Sequence, residues 1–259
     1  MKPRPSAVDH GARALLGPAA VSVCVALIAA NLLWATSFAE AQSRSARTAG
    51  ASDLSFQGSV SLMNRRGTRP ARSVSMEEVL IFYEPAAAPQ AGSPADGERF
   101  VMATVNKTYT PGVLAVPRGA IVDFPNRDRI LHNVFSVSGD NSFDLDLMDG
   151  GESRSHRFAH SGLVRVFCNV HRDMVGYVWV LSTPHWLRPE PDGSFRFEGL
   201  PPGSGKLTIW HPRAEPSTVE VDPGPGGVDM GDFQLRITRP RLPSHARKDG
   251  SNYRTRKVY

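Results

Sequence analysis

Arg165-Val-Phe-Cys168-Asn-Val-His171-Arg-Asp-Met174 sets a thiol, an imidazole and a thioether at three-residue intervals. Leu163–Phe167 leads into it with mostly apolar residues and Val175–Leu181 is apolar after it, so the stretch reads as strand, turn and strand. Upstream, Leu131-His132-Asn133-Val134-Phe135 supplies a second imidazole in another strand-like run. Soft sulfur with imidazole is a donor set that favours a transition metal over calcium or magnesium.

Cysteine usage points to the same place. The chain has two cysteines, Cys24 and Cys168. Lys2, Arg4 and Arg13 precede an uncharged, mostly apolar run over 14–38, and Ala39-Glu40-Ala41 follows it. That order is the pattern of an export signal, and we expect residues 1–41 to form a signal helix cleaved after Ala41. The run is long enough to stay as an anchor if uncleaved. Val21 and Val23 before Cys24 argue against lipidation. Cleavage leaves Cys168 as the one cysteine of an extracytoplasmic protein. A lone thiol there is an oxidation liability that burial, a metal or catalysis must justify.

Charge is unevenly spread. Residues 236–259 carry eight Lys/Arg against Asp249, whereas 42–235 has a net charge of −3. The basic balance therefore belongs to the tail and does not indicate a nucleic-acid-binding fold. Membrane contact is expected only through the signal or anchor, or through that tail.

From Leu54 onward the pattern is all-β: short alternating or apolar runs separated by Gly, Pro, Asn and Asp, without sustained helical periodicity. Residues 42–53 read as a linker and 84–98, rich in Pro, Ala and Gly, as a loop insertion. Pro184 to Pro191 reads as a linker to a smaller unit over 183–237. About 50 residues bury little core, so that unit is expected to dock on the first. Residues 238–259 read as a disordered tail.

Cys-x2-His-x2-Met with an upstream His-Asn pair resembles the cupredoxin family, in particular its plastocyanin/amicyanin-like blue copper domains. Val113-Leu-Ala-Val-Pro-Arg-Gly-Ala-Ile-Val-Asp-Phe-Pro-Asn126 is similar to the family's strand leading to its first histidine. The resemblance covers about residues 100–182 well and 54–99 loosely. It implies a Greek-key β-sandwich or barrel over 54–182 that holds one type-1 copper. Equatorial His132, Cys168 and His171, axial Met174, and Asn133 tethering the two ligand loops follow from it. Asp192-Gly-Ser-Phe-Arg-Phe-Glu-Gly-Leu-Pro-Pro-Gly203 resembles a carboxypeptidase-regulatory or transthyretin-like β-sandwich. The pair of units is similar to exported proteins of the methylamine-utilisation type.

The function so implied is one-electron transfer between redox partner proteins in the periplasm or another extracytoplasmic space. Copper carriage or storage, and a non-catalytic scaffold, stay open beside it. The absence of any His-x-His argues against a multicopper enzyme. The remaining candidates have plainer readings. His156 and His160, four apart, fall in strand and turn and are expected at the surface or in the second sheet. Asp144 and Asp146 alternate with leucines and read as a solvated strand face. Arg127, Asp128 and Arg129 read as loop charges beside the site. His185-Trp186 and Trp210-His211 are expected to pack in the core or between units.

Overall fold

The computed structural model describes residues 54–71, 74–87 and 98–238. The expected signal or anchor, the 42–53 linker, most of the 84–98 insertion and nearly all of the basic tail lie outside the described residues. No helix among the described residues is long and apolar enough to cross a membrane.

The chain opens with β1 (Leu54–Met63) and β2 (Leu80–Pro85). Next come β3 (Arg99–Val101), β4 (Ala103–Val105), β5 (Thr108–Thr110), β6 (Val113–Pro117) and β7 (Ile121–Pro125). They are followed by β8 (His132–Ser136), β9 (Phe143–Met148), β10 (Ser153–Arg157), β11 (Gly162–Phe167) and β12 (Val175–Leu181). The last are β13 (Trp186–Leu187), β14 (Ser194–Phe197), β15 (Gly205–Trp210), β16 (Ser217–Val221), β17 (Gly224–Pro225) and β18 (Val228–Arg236). The only helical pieces among the described residues are two three-residue 3-10 turns, Met76–Glu78 and Gly139–Asn141.

The strands build an all-β fold around two cores. A five-stranded sheet in the order β6-β12-β11-β8-β9, a three-stranded sheet β10-β7-β3 and the β4–β5 hairpin enclose the first. The chain alternates between these sheets before the β11–β12 hairpin inserts between β6 and β8, a Greek-key weave. Period-2 alternation makes this core: Val164 and Val166 of β11, Val178 and Val180 of β12, and Val122 and Phe124 of β7 all point into it.

The second core lies between the sheets β13-β2-β15-β16 and β14-β1-β17, the latter extended by β18 running parallel to β1. Phe56, Ile81, Tyr83, Phe197, Leu207 and Ile209 fill it. Strand pairing thus differs from the division expected at 182/183. Residues 54–85 pair with the C-terminal strands, not with the first core. The physical reason is that alternation marks a strand and its buried face but carries nothing about its partner.

The stretch Val79–Tyr83 explains how the two cores meet. All five residues are buried, so the strand is covered on both faces. Val79, Ile81 and Tyr83 face the second core. Leu80 and Phe82 face the other way and join Val113, Ala115, Leu181 and Trp210 in a third apolar cluster. Trp179 packs against that cluster, its ring 4.9 Å from Phe82 and 5.8 Å from Trp210. Trp210 thus sits in an inter-core layer, where bulky apolar surface is expected.

Candidate metal centre

Strand β8 lies between β11 and β9, and all five of its residues are buried. Its first residue, His132, is fully enclosed. Across the pair, Phe167 at the end of β11 stands opposite Phe135, so the chain leaves β11 at Cys168 near the start of β8. Cys168 is also fully enclosed. The turn that follows exposes Arg172 and Asp173, leaves His171 half-buried and returns Met174 to the interior, where it shares the first core with Cys168. The Met174 N–H donates to the His171 carbonyl at 3.1 Å and closes the turn.

Three expected donors converge. Cys168 Sγ is 3.7 Å from His132 Nδ1 and 3.8 Å from His171 Nδ1. All three ligand atoms lie within 4.8 Å of one another. Metal–sulfur and metal–imidazole bonds of about 2.3 and 2.0–2.1 Å, set at 120°, separate the two donor atoms by about 3.8 Å. The donor set fits one ion of first-row size, and its softness fits copper. Among the described residues this is the one grouping of three or more such side chains.

Protonation suits the same use, because a metal ligand must be neutral imidazole or thiolate. Burial first, and then the charge of Lys107 and the repulsion a protonated His132 would add, hold His171 below the ordinary histidine pKa, with Asp128 opposing them. The His132 ring presents Nε2 to Asp128 Oδ2 at 2.8 Å. With the proton on Nε2, Nδ1 keeps its lone pair toward Cys168. The Lys107 N–H first, then the Asn106 N–H and His132, hold the Asp128 carboxyl below the usual range against the opposing effect of burial.

Supporting groups tie the two ligand segments together. The Asn169 N–H donates to Asn133 Oδ1 at 3.3 Å, and Asn133 Nδ2 donates to Asp144 Oδ1 and the Asp146 carbonyl at 2.8 and 2.9 Å. Asn133 therefore links the residue after Cys168 to β9. Tyr109 Oη donates to the Phe167 carbonyl at 2.9 Å and lies 3.3 Å from the Asn133 carbonyl. Gly176 makes room for Tyr109, since a Cβ there would lie 3.1 Å from the tyrosine ring and from Met102 Sδ.

Asp128 and Tyr109 were missed as site residues in the sequence. Asp128 had a usable signal, an acid four residues before a candidate ligand histidine. Tyr109 had none. Elsewhere, His156 stacks on Phe143 with ring centroids 4.1 Å apart, and His160 is exposed. Asp144 and Asp146 are exposed, although Asp144 also holds Asn133.

No protein-family model and no curated protein matches the chain. Among solved structures, a copper-containing nitrite reductase from Thermus scotoductus SA-01 aligns at 23% identity and a TM-score of 0.33. That alignment covers 39% of this chain and 27% of the reductase, so the chain spans about a quarter of that protein's length. A purple cupredoxin from Nitrosopumilus maritimus aligns at 25% identity and a TM-score of 0.29, over 32% of this chain and 98% of that one. An amicyanin variant in the Cu(I) state aligns at 28% identity and a TM-score of 0.31, over 34% and 85% of the two chains.

Proposed function

We propose that this chain is an exported protein that binds one copper ion and passes one electron at a time between partner proteins. The observation that carries the reading is the approach of Cys168 Sγ to two imidazole Nδ1 atoms at 3.7 and 3.8 Å inside a β-sandwich. His132, Cys168 and His171 would hold the ion, and Met174 would act as a weak further ligand. When bound, the ion supplies a one-electron couple between Cu(I) and Cu(II). The chain's own contribution is rigidity. Two ligands are enclosed and their segments are cross-tied by Asn133 and Tyr109, so few atoms need to move when the charge changes.

The surface near the site supports a docking role. His171 is half-buried, and exposed apolar side chains stand beside it and His132: Ile130 and Leu131, Val170, and Leu147 opposite Asn133. Such a patch suits brief contact with a redox partner. The second core, built from residues 54–85 and 186–237, would serve as a companion module. We place the protein in an extracytoplasmic compartment on the strength of its signal-like first 41 residues. We read it as a carrier and not a stand-alone enzyme.

The half-exposed His171 also supports a second reading, copper carriage, because one ligand at the surface lets the ion be handed on. Adding Cu(II) to the apo-protein distinguishes the two. Electron transfer requires an intense visible thiolate-to-copper band and a reversible one-electron wave. Tight Cu(I) binding without a stable coloured Cu(II) form selects carriage. Absence of copper binding with intact His132 and Cys168 rejects both.

A further inference from the structure

Asp128 is built into its place more elaborately than a surface loop charge requires. Beside the His132 contact, its carboxylate accepts the N–H of Asn106 at Oδ1 at 2.7 Å and that of Lys107 at Oδ2 at 2.9 Å. Those two residues have φ of +52° and +59°. They form the two-residue turn of the β4–β5 hairpin, a geometry that aims successive amides the same way. The carboxylate therefore caps a hairpin on one side and a histidine ring on the other.

The loop that carries it is fixed independently. Asn126 is buried, and its Oδ1 accepts the Asp128 N–H at 3.0 Å and the Thr104 hydroxyl at 2.9 Å. Its Nδ2 donates to the carbonyls of Ile130 and Met148 at 2.9 and 3.1 Å. Gly150 lies directly against the loop, where a Cβ would come within 2.6 Å of the Asp128 carbonyl. With the loop so held, the Asp128 carboxylate cannot swing away from His132 without giving up the Asn106 and Lys107 amides.

We propose that Asp128 is a positioning residue for the metal. It locks His132 in the Nε2–H tautomer with Nδ1 turned to the ion, and it places a negative charge next to that ligand so that the site favours the more highly charged Cu(II) over Cu(I). The inference rests on the copper reading for its second half only. A carboxylate behind a ligand imidazole makes the ring a better donor and fixes its orientation, and an anion at that distance is felt more by the doubly charged ion. Arg127 and Arg129, the adjacent cations, are exposed, and screening by water weakens their opposing effect.

The test uses the whole chain, wild type beside Asp128→Asn and Asp128→Ala, with copper ions alone as the probe. Long-range proton–nitrogen NMR of the apo-protein at mildly alkaline pH, assigned with His132→Gln, reads the tautomer without metal. Wild type should hold the Nε2–H form, Asp128→Asn should hold it with the amide oxygen in the Oδ2 place, where it serves both His132 and the Lys107 N–H, and Asp128→Ala should mix the two forms. Cu(II) affinity should fall about 10- to 100-fold in Asp128→Ala. It should fall less in Asp128→Asn, while Cu(I) affinity changes little in either and the reduction potential rises in both. A wild-type Nδ1–H tautomer, or equal losses of Cu(I) and Cu(II) affinity in Asp128→Asn, would overturn the proposal. With its one oxygen toward His132 and Lys107, Asp128→Asn gives up only the Asn106 amide contact, so it decides the matter if Asp128→Ala fails to fold. Failure of wild type to bind copper defeats the copper reading, and with it the preference for Cu(II), while the tautomer result still stands or falls alone.

Discussion

The hydroxyl of Tyr109 donates to the carbonyl of Phe167 at 2.9 Å, one residue before Cys168. The same oxygen lies 3.3 Å from the carbonyl of Asn133, one residue after His132. One buried side chain from the β4–β5 hairpin therefore bridges both ligand-bearing strands. Tyr109→Phe keeps the ring packing and strips the buried hydrogen bond to the Phe167 carbonyl. We expect a loss of about 1–3 kcal/mol in urea unfolding. Copper should still bind, with a broader visible band as the ligand positions spread.

Removing the thiol separates metal chemistry from folding. Cys168→Ser should abolish the visible band and lower Cu(II) affinity by more than the roughly 10- to 100-fold that loss of an outer partner costs. Cys168 is fully enclosed in the first core, so the new hydroxyl should also cost about 1–3 kcal/mol. The far-UV circular dichroism should keep its β signature. Loss of that signature would make Cys168 chiefly a structural residue.

The candidate donors were legible because three of them are local. Cys168, His171 and Met174 sit on one turn, and a turn between two apolar runs is visible in sequence. His132 was legible only through its likeness to a known pattern, since nothing local tells a buried ligand histidine from a core one. Tyr109 went unread, and Asp128 was read only as a loop charge beside the site, because the contacts that give them their roles run across strands. Asp128 works through the turn at Asn106 and Lys107, and Tyr109 through carbonyls on β8 and β11. The same limit explains β1 and β2. Their alternation was plain, but pairing with β18 and β15 lies at long range.

Backbone geometry predicts one sensitive site far from the metal. Gly193 has φ +92°, and a Cβ there would stand 2.2 Å from the Val60 carbonyl oxygen. Its own carbonyl accepts the Val60 N–H at 2.8 Å, so the turn cannot back away freely. Gly193→Ala should lower stability by about 2 kcal/mol or more, combining left-handed strain with the clash. Thermal unfolding of the apo-protein checks this. An unchanged midpoint would mean the β14 end of the second core is far more pliable than its contacts indicate.

Acid should weaken the apo-protein below neutrality. Burial pushes the pKa of both His156 and His185 below the ordinary histidine value. The unfolded chain therefore takes up these protons first as pH falls through about 6.5. Stability is full above that value, declines as pH drops toward the lowered folded pKa values, and levels once both states are protonated. His156→Phe, which can keep the stack on Phe143, should flatten the decline in urea midpoint between about pH 7 and 5. A decline of unchanged steepness would assign the effect to other groups.

Met174 offers the last discrimination, between a thioether that touches the ion and one that only fills space. It is 2% exposed and packs in the first core with Cys168, so its volume matters in either case. Met174→Leu conserves that volume and should cost less than about 1.5 kcal/mol in the apo-protein. If sulfur contributes to the site, its loss removes a weak donor that favours Cu(II), and the reduction potential should rise while the visible band shifts. If the side chain is filler, potential and band should match wild type. Redox titration of the copper-loaded variant, with apo-protein unfolding as the packing control, tells the two apart.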